Sequence, residues 1–313
     1  MRTQLITSAV FVFLAFGPGA SRQFAQAPIA TFKSDVDLVR VWAVVRDRKG
    51  RFVQDLSARD FEILDQGQSQ TITDFHADVA GVSVAMLFDV SGSMRLQIPN
   101  AREAGTHVLN WLDATRDEAG VYTFDTQLHE VRSFTSGLTT LPESMSTLVP
   151  FGATSLHDAI ARTAEQVGRR EGRHRAVVAF TDGADNASRL KPAEVSALAS
   201  SIDVPVYIVG IVATIDNPLA DNATNSIERS ALGGPLADLA TSTGGHVYVA
   251  STPAQRSVAA RQLIDELRHE YLIAFQSSAK PGWHPLVVRA RNKDLVVRAR
   301  TGYIAGQSRP NSQ

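Results

Sequence analysis

The sequence predicts an α/β fold: a doubly wound, mainly parallel sheet inserted in a small β module formed by N- and C-terminal strands. Two observations predict it. Almost continuously apolar runs recur at Val82–Phe88, Val121–Phe124, Ala176–Phe180, Val204–Val212 and Val247–Ala250, as in strands buried on both faces. Segments with helical apolar spacing lie between these runs, which calls for crossover connections and helices on both sides of the sheet.

The elements follow in chain order. Leu5 to Phe16 is a short apolar run behind Arg2, broken at Gly17-Pro18-Gly19 and followed by small residues at Ala25 and Ala27. This order of charge, apolar core and small residues reads as a secretory signal over residues 1–27. Pro28 disfavours cleavage directly after Ala27, so the cut could fall nearer Ser21. The run is shorter than the roughly 20 apolar residues a spanning helix needs. The expected product is therefore exported, secreted or periplasmic, with no transmembrane span in its mature form.

Residues 28–79 are expected to form the N-terminal part of the β module. Residues 34–47 are rich in valine and end at the turn signal Asp47-Arg48-Lys49-Gly50. Phe61–Leu64 and Gln70–Phe75 read as two strands around Asp65-Gln66-Gly67. The α/β domain spans residues 80–252. Its first helix carries Ala101, Ala104, Gly105, Val108 and Leu112 on one stripe, with Pro99 near the start. Leu156, Ala159, Ile160 and Val167 mark a second helix, and Val195, Leu198, Ala199 and Ile202 a third. Leu128–Phe134 follows Phe124 too closely for a crossover and is expected as a short antiparallel edge strand. Thr214 to Pro235 reads as a long polar loop. Residues 253–303 are expected to complete the β module with one helix, starting near Pro253 and ending near Glu270, and with strands at Tyr271–Gln276, Pro285–Ala290 and Leu295–Thr301. Residues 304–313 are expected as a disordered tail.

The formal net charge of −1 gives no broad attraction to nucleic acid or anionic lipid. With no cysteine, disulfides, thiolate metal sites and cysteine nucleophiles are excluded. Neither a G-x-x-x-x-G-K-[ST] loop nor a G-x-G-x-x-G turn is present, which argues against a nucleotide. Val90-Ser91-Gly92-Ser93 does not match the serine hydrolase elbow G-x-S-x-G.

Asp89 falls at the carboxyl end of the first buried strand, where doubly wound sheets bind ligands. Ser91 and Ser93 follow it directly. Thr154 precedes the second helix, and Asp182 follows the strand Ala176–Phe180. Each has an ordinary structural explanation: Ser91-Gly92-Ser93 as a tight turn, Thr154 or Ser155 as a helix cap with Asp158 completing the box, Asp182-Gly183 as a turn. His157 could be a base or a packing residue, and Asp185 reads as a solvated loop acid. The coincidence of three loops on one rim favours a shared site. All five side chains offer oxygen alone, which suits Mg2+ or Mn2+ better than zinc or copper. Only two of the five are anions, so an ion held there stays attractive to an external carboxylate.

The motifs "DVSGS" at 89–93, "GATSLHDAI" at 152–160 and "FTDGADN" at 180–186 resemble the metal-ion-dependent adhesion site of von Willebrand factor type A domains. The flanks at 56–75 and 267–303 resemble exported bacterial proteins related to that family. The resemblance implies a Rossmann-like domain over about residues 80–250. It also implies a divalent cation held by Ser91, Ser93 and often Thr154 directly, with Asp89 and Asp182 direct or through water. The function it implies is binding of a protein partner that supplies an acidic ligand, without enzymatic activity. Two alternatives stand beside it: a structural envelope protein whose cation stabilises loops, and a magnesium-dependent hydrolase with Asp89 as nucleophile.

Overall fold

The structure is a computed structural model that describes residues 38–77, 81–170, 173–213, 232–277 and 280–306. The chain divides into Met1–Asp35 and Val36–Gln313, and all described residues belong to the second unit. The signal expected at 1–27, residues 28–37 and most of the expected polar loop (214–231) lie outside the described residues.

The centre is a six-stranded sheet in the order β10-β9-β8-β5-β6-β7. Its strands are β5 (Val82–Asp89), β6 (Glu118–Phe124), β7 (Leu128–Ser136), β8 (His174–Thr181), β9 (Val206–Ile211) and β10 (Val247–Ala250). All neighbouring pairs are parallel except β6 with β7, the antiparallel edge expected from the short connection. β5 is buried along its whole length because its alternate side chains enter two cores. Val84, Met86 and Phe88 pack with α1 (Ile98–Trp111) and α5 (Pro253–Arg268). Ala85 and Leu87 pack with α2 (Leu156–Gly168), α3 (Pro192–Ser201) and α4 (Pro235–Ser242). Gly105 lets α1 sit close on β5: a Cβ there would lie 2.5 Å from the Phe88 ring. The chain leaves β5 towards β6 and later returns on its other side as β8, which makes the carboxyl end of β5 a switch point of the sheet.

Strands from both chain ends form two further four-stranded sheets. One has the order β13-β1-β11-β4, the other β14-β12-β2-β3. They comprise β1 (Leu38–Asp47), β2 (Phe61–Asp65), β3 (Gln68–Gln70), β4 (Ile72–His76), β11 (Glu270–Gln276), β12 (Gly282–Ala290), β13 (Leu295–Ala299) and β14 (Gly302–Ala305). Their shared core includes Val41, Val45, Phe61, Ile63, Tyr271, Ile273, Phe275 and Leu286.

Four expectations need correction. The strand expected over Gln70–Phe75 is divided at Thr71: β3 pairs with β2, whereas β4 crosses to pair with β11 in the other sheet. The helix expected to complete the β module instead buries Ala259, Ala260, Leu263, Ile264 and Leu267 on the central sheet. Helix α4 occupies 235–242, which the polar composition just before it concealed. Finally, the chain turns at Thr301 into a separate strand, and β14 carries order into the expected tail as far as Ala305.

The seam between α5 and the β strands is ionic. Glu266, 2% exposed, pairs with Arg46 of β1 at 2.7 Å and with Arg298 of β13. Next to it, His174 is fully buried against Glu270 at 2.9 Å and stacks on Trp42. Burial is the strongest influence and disfavours the His174 imidazolium, but the charge and hydrogen bond of Glu270, with the Asp203 charge and the Leu267 carbonyl, together outweigh it and raise the His174 pKa. Removing one partner of such a cluster leaves an uncompensated buried charge. Glu266→Ala is therefore expected to cost roughly 3 kcal/mol in urea unfolding. Asp294→Ala, at a pair with Arg48 exposed on both sides, should stay within about 0.5 kcal/mol.

Candidate metal centre

Asp89 is completely buried at the end of β5. Both of its oxygens are engaged by the chain itself. The Ser91 amide donates to Oδ1 at 2.9 Å, and the Thr181 hydroxyl donates to Oδ2 at 2.7 Å. The Ser91 side chain is buried next to it, and its hydroxyl lies 3.2 Å from that of Ser93, which is exposed. Thr181 also fixes the next loop, since its hydroxyl accepts from the Gly183 amide at 3.0 Å. Asp182 thus starts directly beside the Asp89 carboxylate, and its Oδ1 accepts from the Ala184 amide at 3.0 Å. Gly183, at φ +86°, makes this tight return with a backbone that side-chain-bearing residues rarely adopt.

Thr154 joins the rim through its backbone. Its amide donates to Asn186 Oδ1 at 2.8 Å, and its carbonyl accepts from the Asn186 and Ala187 amides at 3.0 Å. The same loop caps α2 from outside the helix. The His157 amide donates to Asp185 Oδ2 at 2.9 Å and the Asp158 amide to Ser188 Oγ at 3.1 Å. These are free donors of the first helical turn. Asp158 returns the favour by accepting from the Arg189 and Leu190 amides. The expected Ser155–Asp158 cap is therefore replaced: the Ser155 side chain makes no cap bond, and Asp158 serves the neighbouring loop. The first two loops are also stitched together, with the Gly92 amide donating to the Gly152 carbonyl and the Phe151 amide to the Val90 carbonyl, both at 3.0 Å.

Asp185 is not the solvated acid expected from its position. It is 14% exposed and pairs with His157 Nδ1 at 2.8 Å. This contact occupies the imidazole and gives it a packing role. Thr181, Asn186 and Ser188 were not singled out in the sequence. Thr181 carried one signal, a hydroxyl residue at a strand end directly before the acid. Asn186 and Ser188 showed only a formal glycosylation pattern, which carries little weight, and nothing pointed to their partners 32 and 30 residues away.

Electrostatics define what this site lacks. Burial raises the Asp89 pKa to about 6, against the lowering effect of the Ser91 and Thr181 hydrogen bonds, and the Asp182 charge pushes it the same way as burial. Among the described residues, no Lys, Arg or His pairs with Asp89 or Asp182. One spacing in the donor set, between two neighbouring hydroxyls, is compatible with a small divalent cation. In an octahedron with metal–oxygen bonds of about 2.0–2.1 Å, adjacent ligands lie about 2.8–3.0 Å apart, slightly less than the 3.2 Å between the Ser91 and Ser93 hydroxyls.

Residues 84–184 match the von Willebrand factor type A domain. The match covers about a third of the chain, and the six-stranded, mostly parallel sheet is consistent with the Rossmann-like fold of such domains. Among solved structures, the chain is similar to an aerotolerance-related membrane protein from Bacteroides fragilis, at 20% identity over 60% of this chain and 98% of that one, with a TM-score of 0.47. It is similar to a von Willebrand factor type A protein from Catenulispora acidiphila, at 13% identity over 88% and 76%, with a TM-score of 0.48. It is also similar to the PilB minor pilin from Streptococcus sanguinis, at 14% identity over 63% of each chain, with a TM-score of 0.44. No curated protein matches the sequence. Among the described residues, no helix is long and apolar enough to cross a membrane.

The raised pKa of Asp89 has a stability consequence. Between its ordinary value of 3.8 and about 6, the folded chain binds more protons than the unfolded one. Stability without metal should therefore fall as pH rises through that window and level off above it. In chelator, wild-type stability should fall by at most roughly 3 kcal/mol between about pH 4 and pH 7, and Asp89→Asn should not show that fall, as read from urea unfolding at a series of pH values.

Proposed function

We propose that this protein binds a protein partner through a divalent cation, Mg2+ or Mn2+, at the site formed by Asp89, Ser91, Ser93, Thr154 and Asp182. The observation that carries this reading is the buried Asp89 carboxylate, next to a second acid and, among the described residues, without a cationic side chain to balance it. A bound cation would relieve that charge. Ser91, Ser93 and Thr154 would hold it, with Asp89 and Asp182 direct or through water. Because both Asp89 oxygens already accept bonds from Ser91 and Thr181, a water-mediated contact suits Asp89 best. Neutral hydroxyls leave most of the positive charge unsatisfied, so the open coordination position attracts a carboxylate from the partner. A bound cation would supply the electrostatic attraction, while the chain's own residues would set its position.

A binding role fits the site better than hydrolysis. Both Asp89 oxygens are tied down as acceptors, and His157 is engaged with Asp185. The apolar run behind Arg2 supports export, which would place the site where extracellular or envelope proteins can reach it.

Asp89→Ala and Asp182→Ala should each remove most of the Mg2+ affinity measured by calorimetry. Both should also abolish chelator-sensitive capture of partners from the native envelope fraction. Thr154→Ala should weaken partner capture more than Mg2+ affinity. Capture that persists undiminished in EDTA would refute the reading.

A further inference from the structure

Leu96, Val149 and Phe151 are the three most exposed large apolar side chains among the described residues, at 84%, 80% and 75%; the next, Val296, reaches 62%. All three lie in the segments that carry the candidate metal ligands. Leu96 ends the short helix Gly92–Leu96 that begins directly after Ser91. Val149 and Phe151 precede Thr154. The two segments are bound to each other by the Phe151–Val90 and Gly92–Gly152 backbone hydrogen bonds.

Their exposure is built into a firm frame. Met94 is fully buried two residues before Leu96. Pro150 is buried between Val149 and Phe151, and Leu148 packs against the core beneath the sheet. Buried residues thus alternate with apolar side chains held in solvent, an arrangement that costs solvation free energy unless something covers it.

We propose that Leu96, Val149 and Phe151 form an apolar rim that receives the residues flanking the partner's carboxylate. The ligand class is then a protein segment in which Asp or Glu stands between apolar side chains. This rests on the cation-binding reading above and deepens it. Arg95, exposed beside Leu96, adds positive charge on the same rim and complements the acid. A protein segment fits better than a lipid surface, because residues 90–97 and 148–155 contain one basic residue, Arg95, and not the run of Lys and Arg that anionic bilayers attract.

The test uses two capped tripeptides as probes, Ac-Leu-Asp-Phe-NH2 and Ac-Gly-Asp-Gly-NH2, titrated into 15N-labelled protein with and without Mg2+ and followed by NMR. With Mg2+, the apolar-flanked peptide should bind roughly tenfold more tightly than the glycine-flanked one. The double variant Leu96→Ser/Phe151→Ser should lose that preference while keeping the Mg2+ affinity and the weak binding of the glycine-flanked peptide. Equal affinities in wild type, or a preference that survives in the double variant, would overturn the rim. If Mg2+ binds and neither peptide does, the carboxylate reading itself fails. Cosedimentation with phosphatidylserine vesicles that is lost in the double variant would reassign the patch to lipid and overturn the proposal.

Discussion

A single buried carboxylate sets the terms for the upper rim of this molecule. Asp89 stands at the end of a strand enclosed on both faces, so its side chain leaves the sheet where water is scarce. Apolar burial of β5 fixes the position of the charge, and nothing cationic from the described residues balances it. Burying an acid without such a partner is costly. The chain meets part of that cost with the Ser91 amide and the Thr181 hydroxyl and leaves the remainder, which is the physical basis for reading the site as a place for a cation.

The surrounding loops are organised so that this charge sits among fixed donors. Thr181 connects β8 to Asp89 and its own amide neighbour Gly183, while the 185–190 loop and the first turn of α2 cap each other in both directions. Thr154 is consequently held by backbone contacts on both its amide and its carbonyl. Preorganisation of this kind reduces the ordering needed when a ligand arrives. At the opposite end of the sheet, Glu266 and Glu270 tie α5 and β8 to the β strands by ionic contacts, so the α/β sheet and the β strands are joined by a specific polar seam.

Much of this was legible in the sequence for a simple reason. Strands buried on both faces write themselves as unbroken apolar runs, and β5, β6, β8, β9 and β10 all did so. The short Phe124-to-Leu128 connection likewise left room only for an antiparallel edge. Strand edges and partners were less legible: β3 and β4 read as one strand because nothing at Thr71 announces that the chain changes sheets. Helix α5 was read with the β module because sequence order places it there, whereas its apolar stripe belongs to the core of the central sheet. At the site, the oxygen-bearing motifs stood out by type and order. The roles of Thr181, Asp185, Asn186 and Ser188 did not, since they are set by contacts across 92 residues for Thr181 and about thirty for the others, and by a loop shape that local spacing does not encode. The apolar rim was likewise hidden, because only solvent exposure separates Leu96 and Phe151 from core residues.

The most direct measurement is calorimetric titration of MgCl2 into metal-free protein, with Ser91→Ala/Ser93→Ala in parallel. The account predicts one ion per wild-type chain and no measurable binding to the variant. Wild-type protein that takes up no Mg2+ or Mn2+ at millimolar concentration, or a variant that binds as wild type does, would contradict it.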